Sequence, residues 1–192
     1  MCKPAHILFL TAWLLLSGTA VRAQDRLLGV FQSPKGAGVT AVLGSREGGE
    51  TNIFTLRTDF YGILSGRTRK PGVFFTYTHD YDLLRTDVED CTLILHAGAG
   101  GMLGYAHDFE KGFFSTFDRQ LKHPRGGVAA VAGTAGLRID FPRRLTLDIS
   151  FTAAPGIHLR SDRSTGALLL SFYKAGIYHV YYPQINLLYR FR

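Results

Sequence analysis

Residues 144–160, RLTLDISFTAAPGIHLR, hold a period of two along their whole length. The odd positions carry Leu145, Leu147, Ile149, Phe151, Ala153, Pro155, Ile157 and Leu159. The even positions carry Arg144, Thr146, Asp148, Ser150, Thr152, Ala154, Gly156, His158 and Arg160. Successive side chains of a strand point to opposite faces, so the run makes one apolar face and one polar face. At roughly 3.3 Å per residue such a strand is about 55 Å long, whereas a common strand of a soluble domain has ~5–6 residues. A tilted strand crossing a bilayer spends ~9–11 residues in hydrocarbon and has reason to protrude from it. The segment therefore predicts a long strand of a membrane β-barrel.

The start of the chain is different material. Residues 1–23 combine Lys3, an apolar run over 7–16, the small residues Ser17, Gly18, Thr19 and Ala20, and the ending Val21-Arg22-Ala23. This is the pattern of a secretory signal peptide cleaved before Gln24, leaving 24–192 as one barrel domain. The apolar run falls well short of the ~20 residues of a spanning helix. Cys2 precedes that run, which argues against a lipoprotein anchor. Losing Lys3 and Arg22 lowers the formal net charge from +7 to +5 and leaves Cys91 as the sole thiol, so no internal disulfide is expected. A basic exported barrel meets anionic lipid or polysaccharide rather than nucleic acid. No later apolar run is long enough for a helical span without a charge, so insertion has to come from strands.

From Gln24 onward the pattern is strand and turn, punctuated by many of the chain's 22 glycines and seven prolines. Strands are expected at 26–31, 37–43, 51–65, 73–84, 91–107, 128–141, 144–160 and 177–191. That makes eight, the even number a closed antiparallel membrane barrel needs. Short inner turns fall at Glu47-Gly48, Asp87-Val88 and Pro142-Arg143. Outer loops fall at 33–36, 66–72, 109–125 and 161–176, so the two longest connections lie outside. Residues 167–173 are left out of the count as a loop or strand extension above the membrane. Ile177, Tyr181, Ile185, Leu187, Tyr189 and Phe191 form the outward set of the closing strand. Ile53, Tyr61 and Ile63 interrupt the otherwise polar face of the third strand.

An eight-stranded barrel is filled by its own side chains, which disfavours a pore. Arg57, Asp59, Asp80, Asp82, Arg138, Asp140, Asp148 and Arg190 fall on the face opposite the lipid and are expected to form a lumen charge network, because buried charges need partners. The histidines after the signal segment, His79, His96, His107, His123, His158 and His179, lack the close spacing of a metal motif, and neither metal nor cofactor is expected. His158 with Ser161 and Asp162 is the nearest approach to a hydrolase set, and no catalytic residue is assigned. The outer loops carry more charge. Arg67, Arg69 and Lys70, then Lys111, Arg119, Lys122 and Arg125, then Arg160 and Arg163 would ring the barrel's top, with Phe113 and Phe114 among them. Arginine's forked donors suit phosphate.

The signal segment, the Gly-rich strands, the Asp140-Phe141-Pro142-Arg143 turn and the aromatic ending Leu188-Tyr189-Arg190-Phe191 together resemble the small single-domain outer-membrane β-barrel family, the OmpX-like and OmpA-barrel-like proteins. The resemblance implies a multi-pass, all-β, up-and-down barrel in the outer membrane of a Gram-negative bacterium. It also implies assembly through a C-terminal strand that ends in an aromatic residue, here Phe191 followed by Arg192. The expected protein is a non-enzymatic monomer whose outer loops contact lipopolysaccharide or a surface partner. A lipid A-modifying enzyme and a soluble periplasmic lipocalin-like carrier are the alternatives.

Overall fold

The structure is a computed structural model that describes residues 24–45, 49–64, 69–107, 125–161, 168–173, 175–178, 181 and 183–191. The expected signal segment lies outside the described residues. Ten strands follow one another: β1 (Gln24–Ser33), β2 (Gly36–Ser45), β3 (Glu50–Asp59), β4 (Gly72–Val88), β5 (Cys91–Ala106), β6 (Gly126–Asp140), β7 (Leu145–Ala153), β8 (Gly156–Ser161), β9 (Leu168–Tyr173) and β10 (Gln184–Phe191). Each of β1 to β6 pairs antiparallel with the next, β7 pairs with β10, and β10 returns to β1. The result is an eight-stranded closed antiparallel ring.

The alternating segment 144–160 spans β7 and β8. Both pair with β6 in one unbroken register, from Asp140↔Thr146 to Gly126↔Arg160. Pro155 has no N–H to donate, so the ladder lapses there, and its carbonyl still accepts from Val131 N at 3.0 Å. β9 pairs with β8, and β10 pairs with β7 below it. The ring closes through β10, and β9, joined toward it through the helical turn Ala175–Tyr178, extends the wall beside β8, so Leu168–Tyr173 is a strand extension.

Other boundaries also move. The third strand stops at Asp59 and passes into a helical turn, Tyr61–Leu64, instead of running on to residue 65. β4 runs to Val88, with an irregularity between Asp82 and Leu84, so the reversal falls at Glu89-Asp90. Glu89 and Arg144 turn the chain with φ of 40° and 65°, left-handed values that non-glycine residues rarely adopt. The closing strand begins at Gln184, which removes Ile177 and Tyr181 from its outward row.

Alternation puts Leu28, Val39, Leu56, Phe75, Leu103, Val131, Phe151, Ile185 and Leu187 outside, all exposed. Inside, two apolar layers close the lumen. Phe74, Met102, Ala106, Val128, Ala132, Ala154 and Tyr173 form the outer one, and Leu27, Val42 and Leu188 form the inner one with Ile53 packed against them. Ile53 is therefore part of a lumen seal. This distribution is the reverse of what a lipocalin-like carrier requires, which is an apolar hollow inside and a polar wall outside.

Candidate functional site

Between the two apolar layers lies a polar chamber. β4, β5, β6 and β7 each place inward residues at one level, and His96, fully buried, is at its centre. Its Nδ1 is 2.8 Å from Asp80 Oδ2, and its Nε2 is 3.2 Å from Asp148 Oδ1. Two carboxylates facing both ring nitrogens are satisfied when each nitrogen carries hydrogen, that is, by an imidazolium. Thr134 Oγ1 donates to the same Asp80 oxygen at 2.8 Å. The cluster needs the glycines beside it. A Cβ at Gly136 would stand 2.7 Å from His96 Nε2, and one at Gly98 would meet the Asp80 carboxylate.

Arg138 sits opposite Asp148 in the strand register and is buried. Its Nε and Nη2 have no hydrogen-bond partner among the described residues, nor does Asp80 Oδ1. A cavity of about 30 Å³ borders Asp80, His96, Asp148, Thr78, Ser150 and Asn186. That is room for a water or two, each needing the kind of polar partners this lining offers. It is no path for a solute. Toward the inner end, Arg190 Nη2 pairs with Asp140 Oδ2 at 2.8 Å, and Thr146 Oγ1 donates to Asp140 Oδ1 at 2.6 Å. Toward the outer end, the Arg57 guanidinium lies 4.9 Å from the centroid of Phe74 and contacts Met102 Sδ at 3.7 Å. Asp59 and Asp82 are half-buried on the same inner face.

All eight residues named for the lumen are thus on the inward side. They form three levels: Arg57 with Asp59 outermost, then Asp80, Arg138 and Asp148 about His96, then Asp140 with Arg190. Asp82 stands opposite His96 in the register of β4 on β5. Sequence reasoning missed His96 as the residue joining the middle level. The signal was available, since His96 alternates with Ile94 and Gly98 on one face.

The rim residues divide differently. Arg69, Lys70 and Arg125 are exposed. His107, at the end of β5, is held below its ordinary imidazole range, first by burial and then by the charges of Arg125 and Lys70. Those two cations, from separate connections, thus act on one place. Arg160 is a correction. It is buried on the inner face of β8, and its Nε donates to His158 Nδ1 at 3.3 Å. Its even position on a strand that continues past Pro155 turns it into the lumen. His158 is likewise fully buried, edge-on to Tyr173 at 6.1 Å, and so turns away from the outer surface, while Asp162 lies outside the described residues. Arg67, Lys111, Phe113, Phe114, Arg119, Lys122 and Arg163 lie outside the described residues.

Among solved structures, this chain is similar to a major outer membrane protein from Thermus thermophilus, with 13% identity, 88% of this chain and 100% of that chain covered, and a TM-score of 0.48. So distant a likeness carries no residue across. No protein-family model and no curated protein matches the chain.

Proposed function

We propose that the chain is an integral outer-membrane β-barrel with a closed lumen, serving as a non-enzymatic anchor whose basic outer rim contacts lipopolysaccharide phosphates or an acidic surface partner. The observation that carries this reading is the inversion of polarity across the wall. Apolar side chains such as Leu103, Val131, Phe151 and Leu187 stand exposed outside, while Asp80, His96, Arg138 and Asp148 are buried inside. Water as the outer solvent would leave that belt uncompensated, whereas hydrocarbon matches it. Each of the eight ring strands is also paired on both sides, as hydrocarbon demands of a spanning strand. The OmpX-like and OmpA-barrel-like resemblance agrees with this reading, including assembly through β10 and its terminal Phe191.

The rim is tested by binding. Replacing Arg69, Lys70 and Arg125 with glutamate should weaken lipopolysaccharide binding at least tenfold, more so at low salt, with the fold intact. Unchanged affinity would remove the rim contact. Lipid A from cells with and without the protein should give the same mass spectrum, and a lost or gained acyl chain would restore the enzyme.

A further inference from the structure

One wall of the ring departs from the apolar belt. On the outward faces of β3 and β4, Tyr77 Oη donates to Asn52 Oδ1 at 2.9 Å, and His79 Nδ1 lies 3.0 Å from the same oxygen. His79 Nε2 is 3.8 Å from Glu50 Oε2, too far for a hydrogen bond, and the two side chains are 31% and 59% exposed. Glu50 opens β3 beside the inner turn, whereas His79 stands far from either end of β4. His79 is the eighth of the 17 residues of β4 and pairs with Ala99 of β5. Phe54 and Phe75 lie just above them on the same face, and Leu83 and Leu84 lie below.

In a bilayer, which the reading above supplies and on which this step rests, an imidazole and a carboxylate on the lipid face are costly unless something covers them. The adjoining wall is suited to a cover. Its outward positions are Ala97, Ala99 and Gly101 on β5 and Gly133 and Ala135 on β6. Small side chains let a second surface approach closely, as they do between helices in membranes. The polar set is also self-complementary: with Nδ1–H given to Asn52, the imidazolium form of His79 presents an Nε2–H to a carboxylate, and Glu50 on the neighbouring strand is such an acceptor.

We propose that this wall is the contact between two copies of the chain in the membrane. The copies are related by a two-fold axis that sets His79 of each against Glu50 of the other, in place of the monomer expected from the sequence. Such an interface is isologous: each copy offers the same patch.

Chemical cross-linking of the full chain in outer membranes tests it. In a Cys91→Ser background, Ala99→Cys beside His79 should yield a dimer with a short bis-maleimide. Leu187→Cys, on the opposite wall, should yield at least tenfold less. Adding Glu50→Gln and His79→Gln should cut the Ala99→Cys dimer at least fivefold while each variant keeps its heat-modifiable gel migration. Equal yields from the two walls, a yield indifferent to the double substitution, or capture of a protein of different mass in place of the dimer would each overturn the dimer and leave the membrane reading standing. Variants and parent alike lacking heat-modifiable migration would overturn the membrane reading, and the dimer with it.

Discussion

At the scale of single residues, His96 is the position where removal should be felt most. Taking the imidazole away leaves Asp80 and Asp148 buried without their shared cation, and breaking a buried ionic set typically costs about 3–5 kcal/mol. His96→Ala should therefore lower the urea midpoint of the refolded barrel far more than substitution of a nearby threonine. Adding Asp80→Asn and Asp148→Asn should restore part of the loss, and a triple variant no better than the single would argue against charge pairing as the cause. Gly136→Ala tests the same cluster sterically, because its Cβ would crowd both His96 and Ser150. An overpacked site of this kind costs about 1–3 kcal/mol. His107 answers to pH. Its pKa lies below the ordinary range, so protonation is disfavoured in the folded protein: the stability it contributes is present above about pH 6.5 and is lost as pH falls through the lowered folded value. Protonation also adds a cation beside Lys70 and Arg125. Lipopolysaccharide binding should thus strengthen on acidification below that point, and His107→Gln should remove the increment.

At the scale of elements, the broken strand of β7 and β8 decides how far the membrane belt extends. Ile149 and Ile157 both point outward from it, on either side of Pro155. A lysine near the bilayer midplane costs about 2–4 kcal/mol, falling to about 0–1 kcal/mol near the interface. Ile149→Lys should therefore impair assembly strongly and Ile157→Lys weakly, read as the fraction of protein recovered folded in outer membranes. Equal penalties would place the belt elsewhere. The length and both faces of this segment were legible in the sequence because apolar and polar residues alternate on either side of the small stretch Ala153-Ala154-Pro155-Gly156. β5 was harder to read. Gly98, Gly100, Gly101 and Gly104 leave its alternation with few large side chains to mark the inward face, and His96 was lost among them. The ends of strands were legible only roughly, since a helical turn at Tyr61–Leu64 and a hairpin at Glu89-Asp90 depend on neighbours that pairing supplies. Arg160 was misplaced for a related reason: its charge suggested the rim, whereas the register of β8 on β6 carries the inward face up to it.

At the scale of the molecule, the fold inverts the distribution of a soluble protein. Charges are gathered inside, sealed by the layer around Phe74 and Tyr173 above and the layer around Leu27 and Leu188 below, while the wall outside is apolar. The inversion was legible at the level of whole strands. The sealing layers were not, because they are assembled from residues far apart in the chain, such as Phe74 with Ala154 and Leu27 with Leu188. The measurement that bears most directly on a closed barrel in the outer membrane is gel migration of the full chain from that membrane, with and without boiling. A closed ring held by inter-strand hydrogen bonds should resist detergent and migrate as a compact species until boiled, then shift to the position of its full mass. Recovery from the soluble periplasm with identical migration before and after boiling would contradict the account.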